Sequence, residues 1–223
     1  MSRMWSWPPG STVWPLGIFP KLQKICQKHD IVLIIDEVQT GVGRTGKFFA
    51  IEHWGIEPDL ITTAKSLAGG MPLGAVTGRE DLMNKLPAGT LGATFGGNAV
   101  SCRAGLAVLD ILYEDGILER GRELGKVLFA RFQALQNNYE IIGEIRGKGP
   151  MLALESVKDR ETKEPASDEA KKLAQLCLEK GLIILTTGCF GNVIRTLMPL
   201  IITDEQLEKG LSILEESFEE LKQ

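Results

Sequence analysis

A continuous apolar run that ends in two acidic residues constrains the fold more than any other feature of the sequence. Residues 31–35 are all aliphatic and mostly β-branched, and Asp36 and Glu37 follow directly. Such a run predicts a strand buried on both faces, as in a parallel sheet covered by helices. Open sheets of this kind place their ligands at the carboxyl ends of the strands. The run therefore indicates an α/β fold, with Asp36 as a candidate site residue.

The remaining periodicity divides the chain into three parts. Residues 1–18 hold three of the four tryptophans and show neither helical nor strand periodicity. Residues 19–112 predict a partial α/β domain, and residues 113–223 predict a smaller α+β domain. The predicted helices are 19–29, 98–113, 117–135, 167–180 and one that begins after the capping box of Thr203 and Gln206; the predicted strands are 31–35, 60–62, 73–77, 141–146, 151–157, 182–185 and 193–197.

Composition excludes several classes of partner. The formal net charge is -4 and the pI is near 5.4, which argues against nucleic acid or an anionic membrane surface because either needs a basic face. No apolar run approaches the roughly 20 residues needed to cross a bilayer, and no signal peptide is visible, so a cytoplasmic protein is expected. The four cysteines have no C-x-x-C pairing, and we expect buried free thiols and no metal site.

An aspartate after a buried strand has other interpretations. Asp36 could cap a helix or lie in a loop, and a strand ending in Asp-Glu also resembles the Mg²⁺-binding strand of nucleotide triphosphatases. That second interpretation requires a phosphate loop, G-x-x-x-x-G-K-[ST]. The only Lys-Ser, Lys65-Ser66, has no glycine at either required position. The nucleotide triphosphatase hypothesis is therefore set aside.

Lys65 is the second candidate. It follows an apolar strand and precedes two glycines, Gly69 and Gly70. A single lysine is usually a solvated surface residue. A lysine amine beside an apolar strand and a cationic group loses its proton more readily, as imine formation requires.

Three motifs now occur in a recognisable order: IIDEVQTGVGRTG, TTAKSLAGGMPLGAV and TFGGNAV. Asp36, Lys65 and Thr94 within them follow one another at intervals of 29 residues. From about Phe19 onward the chain resembles the class III aminotransferases of pyridoxal-phosphate fold type I, most of all the 4-aminobutyrate enzymes. The resemblance implies a partial large domain of that fold followed by the C-terminal small domain.

The resemblance also implies roles for individual residues. Asp36 would pair with the pyridine nitrogen of pyridoxal 5'-phosphate and keep it protonated, and Lys65 would form the Schiff base and later transfer a proton. Val38 would pack on the ring, because residues two apart on an extended segment point the same way as Asp36, and Gln39 would bond the ring hydroxyl. Thr94 would bind the phosphate of the neighbouring subunit's cofactor. Without the motif, Val38 would be interpreted as a core valine, Gln39 as a surface glutamine and Thr94 as a loop or helix-cap threonine.

Arg195 lies in an apolar segment that resembles the family's binding segment for the substrate carboxylate. A guanidinium there must find an anion, and its planar fork suits a carboxylate. A structural ion pair is the alternative, and it is the expected role of Arg44 and Arg146.

Members of this family are roughly twice as long, and the missing part precedes Phe19. It carries sheet strands and the glycine-rich loop that holds the phosphate. Residues 1–18 do not resemble the family there, which suggests a truncated or frame-disturbed reading frame. The predicted function is transamination between an ω-amino acid such as 4-aminobutyrate and a 2-oxo acid such as 2-oxoglutarate, in a homodimer. The alternatives are a catalytically inactive fragment or an acetylornithine- or ornithine-type aminotransferase.

Overall fold

The chain forms two compact units, each with its own sheet. The computed structural model describes residues 3–6, 15–90 and 92–222. Described residues up to Leu118 belong to the first unit, and those from Glu119 onward belong to the second.

The first unit is built on a four-stranded sheet of order β1-β2-β3-β4. The first three strands are parallel, and β4 is antiparallel to β3. Its strands are β1 (Arg3–Ser6), β2 (Leu33–Asp36), β3 (Leu60–Thr63) and β4 (Ala75–Gly78), and its helices are α1 (Ile18–Lys28), α2 (Glu80–Met83), α3 (Ala99–Glu114) and two 3-10 helices, Ala50–Trp54 and Lys65–Ala68.

Strand β2 occupies an interior position, with a parallel neighbour on each side. Leu33 and Ile35 are buried, whereas Ile34 and Asp36 are half-buried. The expectation of a strand buried on both faces from Ile31 is therefore wrong in two respects. The strand begins two residues later, and only one of its faces is fully covered.

Strands β1 and β4 also differ from expectation. Arg3–Ser6 lies in the segment without visible periodicity, yet its backbone pairs with β2. Four residues are too few to show a pattern, so the pairing depends on the partner strand. Strand β4 begins at Ala75, two residues later than expected, and all four of its residues are exposed.

The second unit combines three helices with an antiparallel sheet of order β5-β6-β8-β7. Its elements are α4 (Ile117–Asn138, which begins two residues before the boundary), β5 (Ile142–Lys148), β6 (Met151–Ser156), α5 (Ser167–Glu179), β7 (Thr186–Thr187), β8 (Val193–Arg195) and α6 (Asp204–Leu221). The expected strand at 182–185 is wrong. Those residues form no ladder, and the strand nearby consists of Thr186 and Thr187 alone.

The hydrophobic core of the second unit joins one face of each helix to the sheet. The α6 residues Leu207, Leu211, Leu214 and Phe218 are buried as their helical spacing predicts, as are Leu124, Leu128, Phe132 and Leu135 of α4. The apolar spacing of the sequence also places Val127, three residues after Leu124, on this face of α4, but Val127 is 46% exposed. Val127 immediately precedes Leu128, so the two side chains point about 100° apart around the helix axis. Leu128 therefore faces the core while Val127 lies outside the buried stripe.

Two helices begin at the predicted caps. The Thr203 hydroxyl accepts the N–H of Gln206 at 3.1 Å, and the Gln206 side chain accepts the N–H of Thr203 at the same distance. The Asn98 side chain accepts the N–H groups of Val100 and Ser101 at the start of α3. Each bond satisfies a donor that a helix N-terminus otherwise leaves without an intrahelical partner.

The cysteines have different environments. Cys26 and Cys177 are buried free thiols, as expected, and burial raises the pKa of the Cys177 thiol. Cys102 is half-buried and Cys189 is exposed, so the expectation of buried thiols is wrong for Cys189. Within the described residues, no helix is both long and apolar enough to span a membrane.

Candidate functional site

Asp36 is the last residue of β2 and is half-buried. One of its carboxylate oxygens, Oδ1, accepts the N–H of Val38 at 3.0 Å. That bond folds the chain into a turn through residues 38–40. The expected extended segment for Val38 and Gln39 is therefore wrong, because the strand ends at Asp36. Val38 is half-buried and Gln39 is exposed at this turn.

Lys65 lies at the same edge of the sheet as Asp36. Asp36 is opposite Thr62 in the parallel ladder of β2 and β3, and Lys65 follows Thr62 by three residues. It is exposed and opens the 3-10 helix Lys65–Ala68 with a φ of 50°. A positive φ is uncommon for a lysine and marks a backbone that its surroundings hold in place.

Helix α3 packs closely on the segment that carries Lys65. A Cβ atom on Gly105 of α3 would lie 2.9 Å from Leu73 Cδ2 and 3.4 Å from the carbonyl oxygen of Leu67. Only a glycine permits this approach without movement. The predicted phosphate-binding residue, Thr94, precedes α3 in an exposed turn, next to Phe95, which is 84% exposed.

Glu37 is a residue of this region that the sequence did not single out. Its side chain is 1% exposed. The carboxylate accepts the N–H of Ile51 at 2.8 Å and the hydroxyl proton of Thr40. Burial raises the pKa of the Glu37 carboxyl, and the hydrogen bonds from Thr40 and the backbone partly oppose that rise. The available signal was a threonine three residues after the glutamate, a spacing at which the two side chains meet in a turn.

Arg44 connects the turn after β2 with the Lys65 helix. Its Nε donates to the Ser66 hydroxyl at 3.3 Å, and burial lowers the pKa of the guanidinium. Arg44 was expected to form an ion pair, and the bond that links it to the Lys65 segment is this hydrogen bond to the neighbour of Lys65. Arg146 behaves as expected and forms ion pairs with Glu144 and Glu155.

Arg195 belongs to the second unit, where it ends β8 opposite Ala153 of β6. It is half-buried, and burial lowers the pKa of its guanidinium. It borders a cavity of about 340 Å³ whose other walls are mainly aliphatic, among them Ile184, Met198 and Leu211.

The donor set of the first unit suits pyridoxal phosphate. A carboxylate and a primary amine follow neighbouring parallel strands at one sheet edge, and these are the groups that a pyridine nitrogen and an aldehyde require. No group of three or more histidine, cysteine or acidic side chains is placed to hold a metal ion within the described part of the chain.

Comparison with known proteins identifies the family of the chain. The family model described as aminotransferase class-III matches residues 9–218, so the likeness begins ten residues before the expected Phe19. The chain is 47% identical over 201 residues to the 5-aminovalerate aminotransferase of Pseudomonas aeruginosa, covering 90% of this chain and 47% of that protein. It is 47% identical over 190 residues to a probable 4-aminobutyrate aminotransferase of Bacillus subtilis, covering 85% of this chain and 44% of that protein.

The chain is also similar to a protein with a different named activity and to solved aminotransferase structures. A leucine/methionine racemase of Thermococcus litoralis is 45% identical over 214 residues, covering 96% of this chain and 48% of that protein. The crystal structure of a Bacillus anthracis aminotransferase superposes with a TM-score of 0.90 at 31% identity, covering 98% of this chain and 52% of that one. The chain spans about half the length of the curated relatives it matches. On its sequence, its fold and the match over residues 9–218, the chain belongs to the class-III aminotransferase family.

Proposed function

We propose that this chain carries the lysine-bearing half of a pyridoxal-phosphate-dependent ω-amino acid transaminase. The observation that carries the proposal is the placement of Asp36 and Lys65 at one edge of a parallel sheet. The cofactor supplies an electron sink for the bond broken at the substrate carbon. The Asp36 carboxylate would stabilise a positive charge on the ring nitrogen, and the Lys65 amine would hold the cofactor through its aldehyde carbon and would move a proton at the substrate carbon.

Four further residues have proposed roles. Val38 would cover one ring face, Gln39 would hydrogen-bond the ring hydroxyl, and Thr94 would donate its hydroxyl to a phosphate oxygen across a homodimer interface. Arg195 binds the substrate carboxylate as a bidentate partner. The homodimer and the cytoplasmic location stay predictions.

The proposed substrates are an ω-amino acid and a 2-oxo acid, with 4-aminobutyrate and 2-oxoglutarate preferred. The names of two relatives, which act on 5-aminovalerate and 4-aminobutyrate, support this preference. The racemase relative shows that identity at this level also occurs with a different reaction, so a separate incubation with leucine and methionine tests for racemisation.

Covalent labelling tests the cofactor assignment. The purified chain is incubated with pyridoxal phosphate, reduced with borohydride, digested and mapped by mass spectrometry. We expect the phosphopyridoxyl group on Lys65, with little on the exposed Lys85 of the same unit. Lys65→Ala is the control and should lose the specific label. Labelling spread evenly over exposed lysines would refute the proposal.

Turnover separates the proposal from its alternative. The same preparation is offered 4-aminobutyrate, 5-aminovalerate, ornithine and acetylornithine with 2-oxoglutarate, and glutamate is measured. Specific labelling of Lys65 with no glutamate from any amine would favour the second hypothesis, a catalytically inactive fragment that keeps the cofactor lysine. Glutamate formation from ornithine or acetylornithine alone would favour that type of aminotransferase.

A further inference from the structure

The loop of residues 37–51, here called the Glu37 loop, joins the end of β2 to the 3-10 helix Ala50–Trp54. It is closed on itself through one side chain, because Glu37 accepts the N–H of Ile51 at the far end of the loop at 2.8 Å. The same carboxylate accepts the hydroxyl proton of Thr40, and the N–H of Gly41 donates to the Glu37 carbonyl oxygen at 2.9 Å. The buried carboxylate thus fixes both ends of the loop that begins next to Asp36.

The same loop reaches the segment that carries Lys65. Arg44 lies in the middle of the Glu37 loop and donates to Ser66, the residue after Lys65. The loop is therefore tied at its base beside Asp36 and at its tip beside Lys65.

Two residues, one in the Glu37 loop and one in the segment that it contacts, have an unfavourable left-handed backbone conformation. Val42, which is 4% exposed, has a φ of 58°, and Lys65 has a φ of 50°. A β-branched residue adopts this region rarely, and only when its surroundings determine it. A Cβ atom on Gly41 would lie 2.8 Å from the Glu37 carbonyl oxygen, so the turn also packs tightly over Glu37.

We propose that Glu37 is a positioning residue that, through the Glu37 loop and the Arg44–Ser66 hydrogen bond, holds Lys65 in register with Asp36. The inference rests on the proposed function, since it takes Lys65 as the cofactor lysine. Glu37 acts as a hydrogen-bond acceptor at the base of the loop and does not touch the cofactor. Placement of two reacting groups is sensitive to small shifts, and a displacement of about 1 Å changes rates by about 100-fold.

The test compares labelling rates at two lysines of one molecule. The variants are Glu37→Ala, which removes the acceptor, Glu37→Gln, which keeps an amide oxygen for the Ile51 N–H, and Ser66→Ala, which removes the acceptor of Arg44. Glu57→Gln, a charge removal at an exposed site of the same unit, is the matched control. Each variant is first shown to be folded by circular dichroism and thermal melting. The rate of phosphopyridoxyl labelling at Lys65 is then divided by the rate at Lys85.

We expect Glu37→Ala and Ser66→Ala to lower the Lys65-to-Lys85 ratio about tenfold, and Glu37→Gln and Glu57→Gln to stay close to the unmodified chain. The double variant should lose less than the product of the two single losses, because both changes act through one loop. Rescue by glutamine separates positioning from a charge effect.

A folded Glu37→Ala with an unchanged ratio would overturn the inference and leave the proposed function intact. If Glu37→Ala does not fold, Ser66→Ala decides, and an unchanged ratio there overturns the inference as well. An unmodified chain that labels Lys65 no faster than Lys85 would overturn the proposed function and this inference together.

Discussion

Glu37 places an ionisable group where ionisation is unfavourable. Its carboxyl is 1% exposed, and burial raises its pKa above the ordinary value of 4.5. A carboxyl whose pKa is raised in the folded state contributes stability at low pH and loses it as the pH rises through the raised value. At neutral pH the residue therefore costs folding free energy, which is expected of a buried group retained for placement more than for stability.

The pH dependence of stability should reveal this cost. We expect the chain to lose stability relative to Glu37→Gln as the pH rises above 4.5, because the unfolded glutamate then releases a proton that the buried carboxyl retains, whereas glutamine has no proton to release. The melting temperatures of both proteins across this pH range measure the difference in stability. The contributions of all other titrating groups are the same in both proteins and cancel in that difference. Glu57→Gln, at an exposed position, should show little change. A difference that is constant with pH would contradict the assigned cause.

At the residue scale, the candidate site residues could be predicted from the sequence, but the hydrogen bonds that hold the loop around them could not. The positions of Asp36 and Lys65 at the ends of adjacent strands could be predicted because strand ends are local properties of the chain, and their chemical roles stay predictions. The bond between Glu37 and Ile51 could not be predicted because the two residues are 14 apart and the bond exists only after the loop closes. Arg44 was expected to pair with a carboxylate, and only the folded loop brings it to Ser66.

At the element scale, α4 approaches the turn between β5 and β6 with no space for a side chain. A Cβ atom on Gly125 would lie 2.4 Å from the Gly149 carbonyl carbon and 2.6 Å from its Cα. Both contacts are with backbone, which cannot rotate away as a long side chain can. The helix and the turn therefore approach each other so closely at Gly125 that only glycine fits there.

Alanine substitution in two helices tests this packing. Alanine in place of glycine normally stabilises a helix interior by about 1 kcal/mol. Gly125→Ala should instead destabilise the second unit by about 1–3 kcal/mol, because the added methyl group overpacks against Gly149. Gly210→Ala in α6 is the control, since its Cβ would meet only Leu182 Cδ1 at 3.6 Å, an ordinary contact. Urea denaturation followed by circular dichroism measures both; a Gly125→Ala variant more stable than the unmodified chain would rule out the close approach.

Helices were predicted more accurately than strands for a physical reason. The caps at Asn98 and Thr203 and the apolar stripe of α6 are encoded within the helix itself. A strand is defined by its neighbour. Residues 182–185 have strand-like composition but form no ladder in the fold, with Ile183 77% exposed and Leu185 73% exposed. Arg3–Ser6 shows the converse, since it pairs with β2 without any visible pattern.

At the scale of the whole molecule, the two units bury apolar side chains to different extents. The second unit has one continuous cluster that links α4, α5, α6 and the sheet. In the first unit, all four residues of β4 and every described residue from 92 to 100 are exposed. Because burial of apolar surface is the main stabilising contribution, the first unit should be the less stable of the two.

Two spectroscopic probes can follow the units separately. All four tryptophans lie at position 54 or earlier, so residues 119–222 contain none, whereas much of the helix lies in that range. Tryptophan fluorescence should change at a lower urea concentration than the main far-ultraviolet circular dichroism transition. Phe132→Ala, in the core of the second unit, should move the dichroism transition and leave the fluorescence transition in place. Coincident transitions would show a single cooperative unit.

The left-handed backbone at Lys65 has a consequence for how the sequence can change over generations. A lysine with a φ of 50° pays about 1 kcal/mol that a glycine in the same position does not. If selection acted on folding stability alone, substitution of Lys65 by glycine would therefore be favoured. A lineage that has lost the chemistry is free to make that exchange, and one that still depends on the amine is not. The presence of lysine at position 65 is therefore what is expected of a sequence selected for the amine and not for stability alone.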